Sequence, residues 1–79
     1  MSAPLSLADL APGRRARVCA IEPLPDRLEM RLVDLGIDLG SLVEVVHRGP
    51  LGDPLAVRVD GTTVAMRRSI ARAIRLDPA

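Results

Sequence analysis

Few side chains in this 79-residue sequence could bind a metal ion or take part in catalysis. Cys19 and His47 are its one cysteine and one histidine, and apart from three methionine thioethers they are its only soft metal ligands. A ferrous or zinc site usually needs several His, Cys or carboxylate groups that converge on the ion. Both residues fall in predicted strands, where a packed cysteine and a strand-end histidine are ordinary. The sequence therefore predicts no metal site and no cofactor, unless oligomerisation brings copies of His47 together.

The sequence also lacks the patterns of an enzyme. It contains no GxSxG nucleophile motif, no Cys–His arrangement suited to nucleophilic catalysis, and no GxxxxGK[ST] nucleotide-binding loop. Many of its ten carboxylates lie at predicted caps and turns, where hydrogen bonds to nearby backbone N–H groups explain their presence. These are Asp9, Asp26, Asp38, Asp53 and Asp60. We predict that the chain is not an enzyme.

Charge and composition limit the classes of partner. The formal net charge is +1, all 11 basic residues are arginine, and no residue is aromatic. Without aromatic rings the chain cannot stack bases as single-strand nucleic-acid-binding barrels do. Basic residues cluster only in residues 14–17 and at Arg67-Arg68. The Arg67-Arg68 pair could bind a phosphate or an acidic partner, or simply stay solvated. We expect no nucleic-acid partner.

No targeting or membrane segment is predicted. The N-terminal residues do not form a basic segment followed by an apolar run, so we expect no signal peptide. No apolar stretch approaches the roughly 20 residues of a membrane-spanning helix. We therefore expect one domain over residues 1–79, cytoplasmic and without membrane insertion.

The hydrophobic pattern predicts short strands joined by tight turns. Alternation is clearest in residues 55–60, and Asp60-Gly61 then predicts a hairpin turn. Further strands are predicted at residues 14–22, 41–48, 62–66 and 73–76. Val18 and Ala20 are expected on one face of the first strand. The predicted fold is mainly β, a small SH3-like antiparallel barrel of about five strands with a helical insertion after the first strand and short helical turns near both ends.

The insertion after the first strand predicts one helix. Asp26 is expected to cap its start, with Glu29 at the reciprocal capping-box position. A core stripe at spacings i, i+4 and i+7 consists of Leu28, Leu32 and Leu35. Gly36 suits the left-handed position that ends a helix, and Ile37 can fold back on the last turn in a Schellman motif.

Two connecting segments predict a partner-binding surface. The insertion at residues 23–40 and the loop at residues 48–54 would flank the groove where SH3 barrels bind peptides. Both carry apolar residues where a core role is less expected, which favours a protein-binding patch. The candidate residues are Leu24, Pro25, Arg27, Arg31, Leu51 and Pro54. The alternative is that Leu24 and Leu51 only seal the ends of the barrel. Without aromatic residues, the groove is not expected to grip a polyproline ligand.

Much of the chain resembles the FeoA family of small SH3-like proteins of bacterial ferrous iron uptake. The matching segments are Leu10-Ala11-Pro12-Gly13, residues 32–46, residues 52–61 and Ala65-Met66-Arg67-Arg68. The family often has acidic residues after the double arginine and an aromatic residue near the last hairpin. This chain has Ser69-Ile70 and Thr62-Thr63 there instead.

The resemblance implies a cytoplasmic accessory protein that binds the cytoplasmic GTPase region of the FeoB transporter, without enzymatic activity. Two alternatives stay open. One is a metal-linked regulatory module like the C-terminal SH3-like domain of DtxR-type repressors, which strong salt-dependent DNA binding would favour. The other is a carrier of ferrous iron, a transition-metal-binding role that needs about three converging ligands. Weak homo-oligomerisation is compatible with all three.

Overall fold

Residues 5–78, the part of the chain that a computed structural model describes, form six strands and two short α-helices. The strands are β1 (Leu5–Ser6), β2 (Arg15–Ile21), β3 (Leu42–Arg48), β4 (Leu55–Val59), β5 (Thr62–Met66) and β6 (Ile74–Pro78). The helices are α1 (Asp26–Asp34) and α2 (Arg68–Ala71), with 3-10 turns at Leu7–Asp9 and Pro50–Gly52. All strand pairs are antiparallel, in the order β1-β6-β2-β3-β4-β5. The prediction of a mainly β fold is confirmed. The additional strand β1 has two residues, too few for a period to be visible in the sequence.

The core is aliphatic throughout, as a chain without aromatic residues requires. In β4 the predicted alternation is confirmed, because Leu55, Val57 and Val59 are buried while Arg58 between them is exposed. The 3-10 turn near the N-terminus adds Leu7, which is also fully buried. Each large aliphatic side chain buried here contributes roughly 1.5–3 kcal/mol to folding.

A bulge in β2 overturns one expectation about that strand. Val18 is buried and pairs with Leu76, but the register shifts before Ala20, which pairs with Arg75 and is exposed. A bulge inserts one extra residue, so the residues beyond it face the opposite side of the sheet from the one that simple alternation predicts. The prediction that Val18 and Ala20 share a face is therefore wrong.

Helix α1 ends as predicted but does not begin as predicted. Its N-cap is Pro25, whose carbonyl accepts hydrogen bonds from the N–H groups of Leu28 (2.8 Å) and Glu29 (3.1 Å), so Asp26 is the first helical residue and not the cap. At the other end, Gly36 has φ +82° and the Ile37 N–H donates to the Leu32 carbonyl at 2.9 Å. This is the expected Schellman motif.

Helix α2 is held in place by a distant loop. The backbone N–H of Arg68 donates to Asp53 Oδ1 at 3.0 Å, and the two residues are 15 apart in sequence. The Asp60-Gly61 hairpin, with φ values of 49° and 80°, carries the chain from β4 into β5, which leads directly to Arg67 and α2. The loop after β3 and the start of α2 are thus fixed relative to each other.

No helix within residues 5–78 is long and apolar enough to cross a membrane.

Candidate partner-binding groove

A groove of about 410 Å³ lies between α1 and the segment that joins β5 to α2. Its lining residues are Arg27, Leu28, Arg31, Leu32, Leu35, Ala65, Met66, Arg67 and Ile70. We call it the α1–β5 groove. Its volume falls within the roughly 300–1,000 Å³ that is typical of ligand pockets.

Helical spacing explains the α1 wall of the groove. Leu32 is 2% exposed and continues the core stripe, whereas Leu28 and Leu35 are only half-buried. Arg27 and Arg31, four residues apart, share a face of the helix and are both exposed. The helix therefore presents apolar side chains to the base of the groove and two guanidinium groups to its rim.

The opposite wall comes from the end of β5 and from α2. Met66, at 4% exposure, lies in the core and also lines the base of the groove, while Ala65 before it is exposed. Arg67 is the N-cap residue of α2 and is exposed, and Ile70 is half-buried against the core. This wall thus repeats the pattern of α1, with apolar contacts below and a guanidinium above.

A second depression, of about 360 Å³, adjoins the groove and shares Ala65, Met66 and Arg67 with it. The loop after β3 supplies its remaining lining residues, Asp53 and Pro54. The loop at residues 48–54 therefore reaches this surface only through its last two residues.

The structure brings some of the sequence-predicted residues together and separates the others. Arg27 and Arg31 line the groove and Pro54 lines the adjoining depression. Leu24 is half-buried and packs against the core, which is the sealing role considered as the alternative. Pro25 is an exposed helix cap, and Leu51 is 98% exposed at the 3-10 turn. Partner binding by these six residues stays a prediction.

Sequence reasoning did not assign the residues of the facing wall to the predicted binding surface: Ala65, Met66, Arg67 and Ile70. Only the Arg67-Arg68 pair stood out in the sequence, as a candidate for an acidic partner. The other three look like ordinary strand and turn residues. Their role depends on α1 packing beside the end of β5, some 35 residues further along the chain, and no local pattern encodes that contact.

The groove is positively charged. Three of its lining residues are arginines and none is a carboxylate. Two ion pairs occur within the described residues, Arg58–Glu44 at 3.5 Å and Arg75–Glu22 at 2.8 Å, and neither involves a groove arginine. The charges at the rim are therefore balanced by no ion pair within residues 5–78.

A second concave surface also carries three arginines. Arg14, Arg15 and Arg17, with Gly13 and Leu42, line a hollow of about 480 Å³, which we call the β2 hollow. None of these five residues is buried. Arg17 donates a hydrogen bond from Nη1 to the carbonyl of Gly40 at 3.0 Å.

The soft metal ligands lie apart from the groove. Cys19 is half-buried in β2, and His47 is exposed in β3 next to a second bulge. Within residues 5–78, no three His, Cys, Asp or Glu side chains are grouped so that they could hold a metal ion.

The family model described as the FeoA domain matches residues 5–78 of the chain. The match covers nearly all of the sequence. No curated protein sequence is significantly similar to the chain.

Several solved structures resemble this one. Iron(II) transport protein A from Clostridium thermocellum superposes with a TM-score of 0.88 at 29% identity, over 95% of this chain and 46% of that one. The FeoA protein of Chlorobium tepidum gives 0.85 at 35% identity, over 94% of this chain and 70% of that one. This chain spans about half the length of the first relative and most of the second.

Stenotrophomonas maltophilia FeoA, solved in complex with zinc, superposes with a TM-score of 0.81 at 34% identity, over 92% of this chain and 89% of that one. It is a procaryotic SH3 domain protein proposed as a bacterial ferrous iron transport activating factor. The predicted SH3-like fold is thereby confirmed.

The same fold occurs in metal-dependent regulators. A manganese-dependent transcriptional repressor in complex with manganese superposes with a TM-score of 0.88 at 22% identity, over 100% of this chain and 38% of that one. At this level of identity the likeness extends to the fold alone.

Proposed function

The chain belongs to the FeoA family, and from this we propose that it is a cytoplasmic accessory protein of ferrous iron uptake. Its partner in this proposal is the cytoplasmic GTPase region of FeoB. The description of Stenotrophomonas maltophilia FeoA as a transport activating factor supports the same role.

The observation that carries the proposal is the α1–β5 groove. It combines an apolar base with an exposed rim, which is the usual composition of a protein-binding site. Leu32 and Met66 at its base are almost fully buried, so the groove is anchored in the core and its shape is fixed by the fold. A binding surface of this kind suits a protein that acts by docking.

The mechanism in this proposal is a shift in the partner's conformation or assembly. A bound protein moves such an equilibrium only as far as its affinities for the two states differ. The transport reaction and GTP hydrolysis belong to FeoB, and this chain contributes binding free energy. Arg27, Arg31 and Pro54 would contact the partner from the groove and its neighbouring depression. The exposed Leu51 would add an apolar contact from the 3-10 turn, outside the groove, while Leu24 and Pro25 would hold the entry to α1.

The test is the affinity of the full chain for the purified cytoplasmic region of FeoB from the same genome, with and without a non-hydrolysable GTP analogue. An Ala65→Trp variant fills the groove from an exposed position on β5. A matched Thr63→Trp variant places the same bulk two residues earlier on the same face of β5, outside the groove.

We expect binding of the native chain, a loss of about tenfold or more for Ala65→Trp, and little change for Thr63→Trp. Equal affinities of the two variants for FeoB would show that the partner docks on another surface of the molecule. Absence of binding by the native chain would refute the proposed function, and stoichiometric iron binding in a parallel titration would then favour the carrier role.

A regulatory role is the less supported alternative. The repressors share only the fold with this chain, at 22% identity. The net charge of +1 provides little of the electrostatic attraction on which DNA binding depends.

A further inference from the structure

Within residues 5–78, the arginines of the α1–β5 groove form no ion pair with a carboxylate. Asp34 is the nearest carboxylate after Arg31 on α1, three residues on, yet it does not line the groove and within residues 5–78 it forms no ion pair with either arginine. Like charges four residues apart on a helix destabilise it by a few tenths of a kcal/mol in general. A ligand that neutralises them removes this repulsion.

The carboxylate that lines the adjoining depression is already engaged. Asp53 lines the adjoining depression together with Arg67, and its Oδ1 accepts a hydrogen bond from the N–H of Arg68 at 3.0 Å. The groove itself therefore presents three guanidinium groups above an apolar base, with no acidic group among its lining residues.

We infer that the α1–β5 groove binds an acidic, apolar-anchored peptide segment of the partner. Apolar side chains of this segment lie on Leu28, Leu35, Met66 and Ile70, and its carboxylates pair with Arg27, Arg31 and Arg67. This inference rests on the proposed function, because it specifies which kind of FeoB segment the groove accepts.

The separation of Arg27 and Arg31 limits how far apart the carboxylates of the bound peptide can be. Arg27 and Arg31 are one helical turn apart, which corresponds to about 6 Å along the axis of α1. Carboxylates on alternate residues of an extended segment are separated by about 6.6–6.8 Å, and those four apart on a helix by about 6 Å. Either arrangement lets one guanidinium pair with each carboxylate in bidentate fashion.

The same observations disfavour other peptide ligands. A polyproline segment is recognised by aromatic side chains, and this sequence has none. A basic segment would bring further positive charge to a rim of three arginines. An uncharged apolar segment would leave those arginines unneutralised beside a desolvated surface.

The first experiment compares two charge reversals in the full chain, with binding to the FeoB cytoplasmic region measured at low and high salt. The groove variant is R27E/R31E. The control is R14E/R72E, which makes the same change in net charge outside the groove. Both of these arginines are exposed, and within the described residues their side chains form no hydrogen bond and no ion pair.

We expect R27E/R31E to weaken binding by about tenfold or more, with a smaller salt dependence than the native chain, and R14E/R72E to bind nearly as the native chain does. If the native chain binds FeoB but the two variants bind equally well, the groove inference is overturned and the proposed function stands.

The second experiment does not depend on FeoB. An alternating Glu-Leu peptide and an alternating Lys-Leu peptide of the same length are titrated into the isotope-labelled chain, and amide chemical shifts are followed by NMR. We expect the Glu-Leu peptide alone to shift the amides of α1 and of residues 65–70. Shifts caused by both peptides, or shifts confined to the β2 hollow, would overturn the inference whether or not FeoB binds. Failure of FeoB to bind counts against the proposed function alone.

Discussion

The α1–β5 groove and the β2 hollow each carry three arginines, and they differ in what lies beneath them. The two depressions are similar in volume, at about 410 Å³ for the groove and about 480 Å³ for the hollow. Its base contains no buried residue, whereas Leu32 and Met66 in the groove are 2% and 4% exposed. Exposed charges alone interact weakly because water and salt screen them. Apolar surface beside charges favours binding. Of these two surfaces, the groove is the one that places its charges above buried apolar side chains.

The contrast has a structural origin. The groove forms where a helix packs beside the end of an edge strand, so core side chains reach its base. The hollow forms at the start of β2, where the chain turns through Gly13, at φ +85°, into exposed arginines. The two surfaces should therefore respond differently to mutation, both in stability and in binding.

The largest difference is expected from truncating a leucine at each surface. Leu32→Ala should lower the free energy of unfolding by about 2–5 kcal/mol, because it leaves a cavity in a fully packed core. Leu42→Ala, at the half-buried residue of the hollow, should cost clearly less. Chemical denaturation of both variants measures the free energy of unfolding. Equal losses of stability would contradict the conclusion that the groove has a buried base and the hollow does not.

The next effect concerns the end of α1. Gly36 has φ +82°, so Gly36→Ala should destabilise the protein by about 1–2 kcal/mol through backbone strain. Gly36→Asn should cost less, because asparagine tolerates the left-handed region. Thermal unfolding of the two variants is the measurement. Equal destabilisation would show that the loss does not come from backbone strain.

A smaller effect is expected at the contact between the loop after β3 and α2. Asp53→Ala removes the acceptor for the Arg68 N–H and should cost about 0.5–2 kcal/mol, as the loss of a helix cap does. It should also weaken FeoB binding, because the start of α2 positions Arg67 in the groove wall. Asp53→Asn keeps an acceptor oxygen and serves as the control. If both variants bind FeoB as the native chain does, the start of α2 does not depend on this bond.

The smallest effects are expected in the β2 hollow. Arg14→Ala should change the free energy of unfolding by less than about 0.5 kcal/mol, because the side chain is exposed and forms no ion pair within the described residues. FeoB binding should also be unchanged. A large loss of binding in an isothermal titration would show that the hollow takes part in docking.

The sequence was a good guide to the elements and a poor guide to the surface they form. The Schellman end of α1, the alternation in β4 and the Asp60-Gly61 hairpin depend on residues close together in the chain, and all three were predicted correctly. The bulge in β2 was not predicted, because an extra residue in one strand becomes evident only when the partner strand is paired with it.

For the binding surface too, the sequence identified residues within one element but not the packing between elements. Arg27 and Arg31 were identified from the helix alone, and they do line the groove. The loop at residues 48–54 was expected to form the facing wall, yet only Asp53 and Pro54 reach the adjoining depression. The actual facing wall runs from Ala65 to Ile70, because α1 and the end of β5 border the same groove.

The sequence by itself determined the mainly β fold, the single helix after the first long strand, the aliphatic core and the resemblance to the FeoA family. These follow from short-range periodicity, turn chemistry and composition, which act between neighbouring residues. Only the tertiary structure decided that Arg67 joins Arg27 and Arg31 around one apolar groove, while Arg14, Arg15 and Arg17, which are close together in sequence, surround no buried side chain. The reason is physical: buried surface arises where separate elements pack together, and no local stretch of the chain specifies that packing.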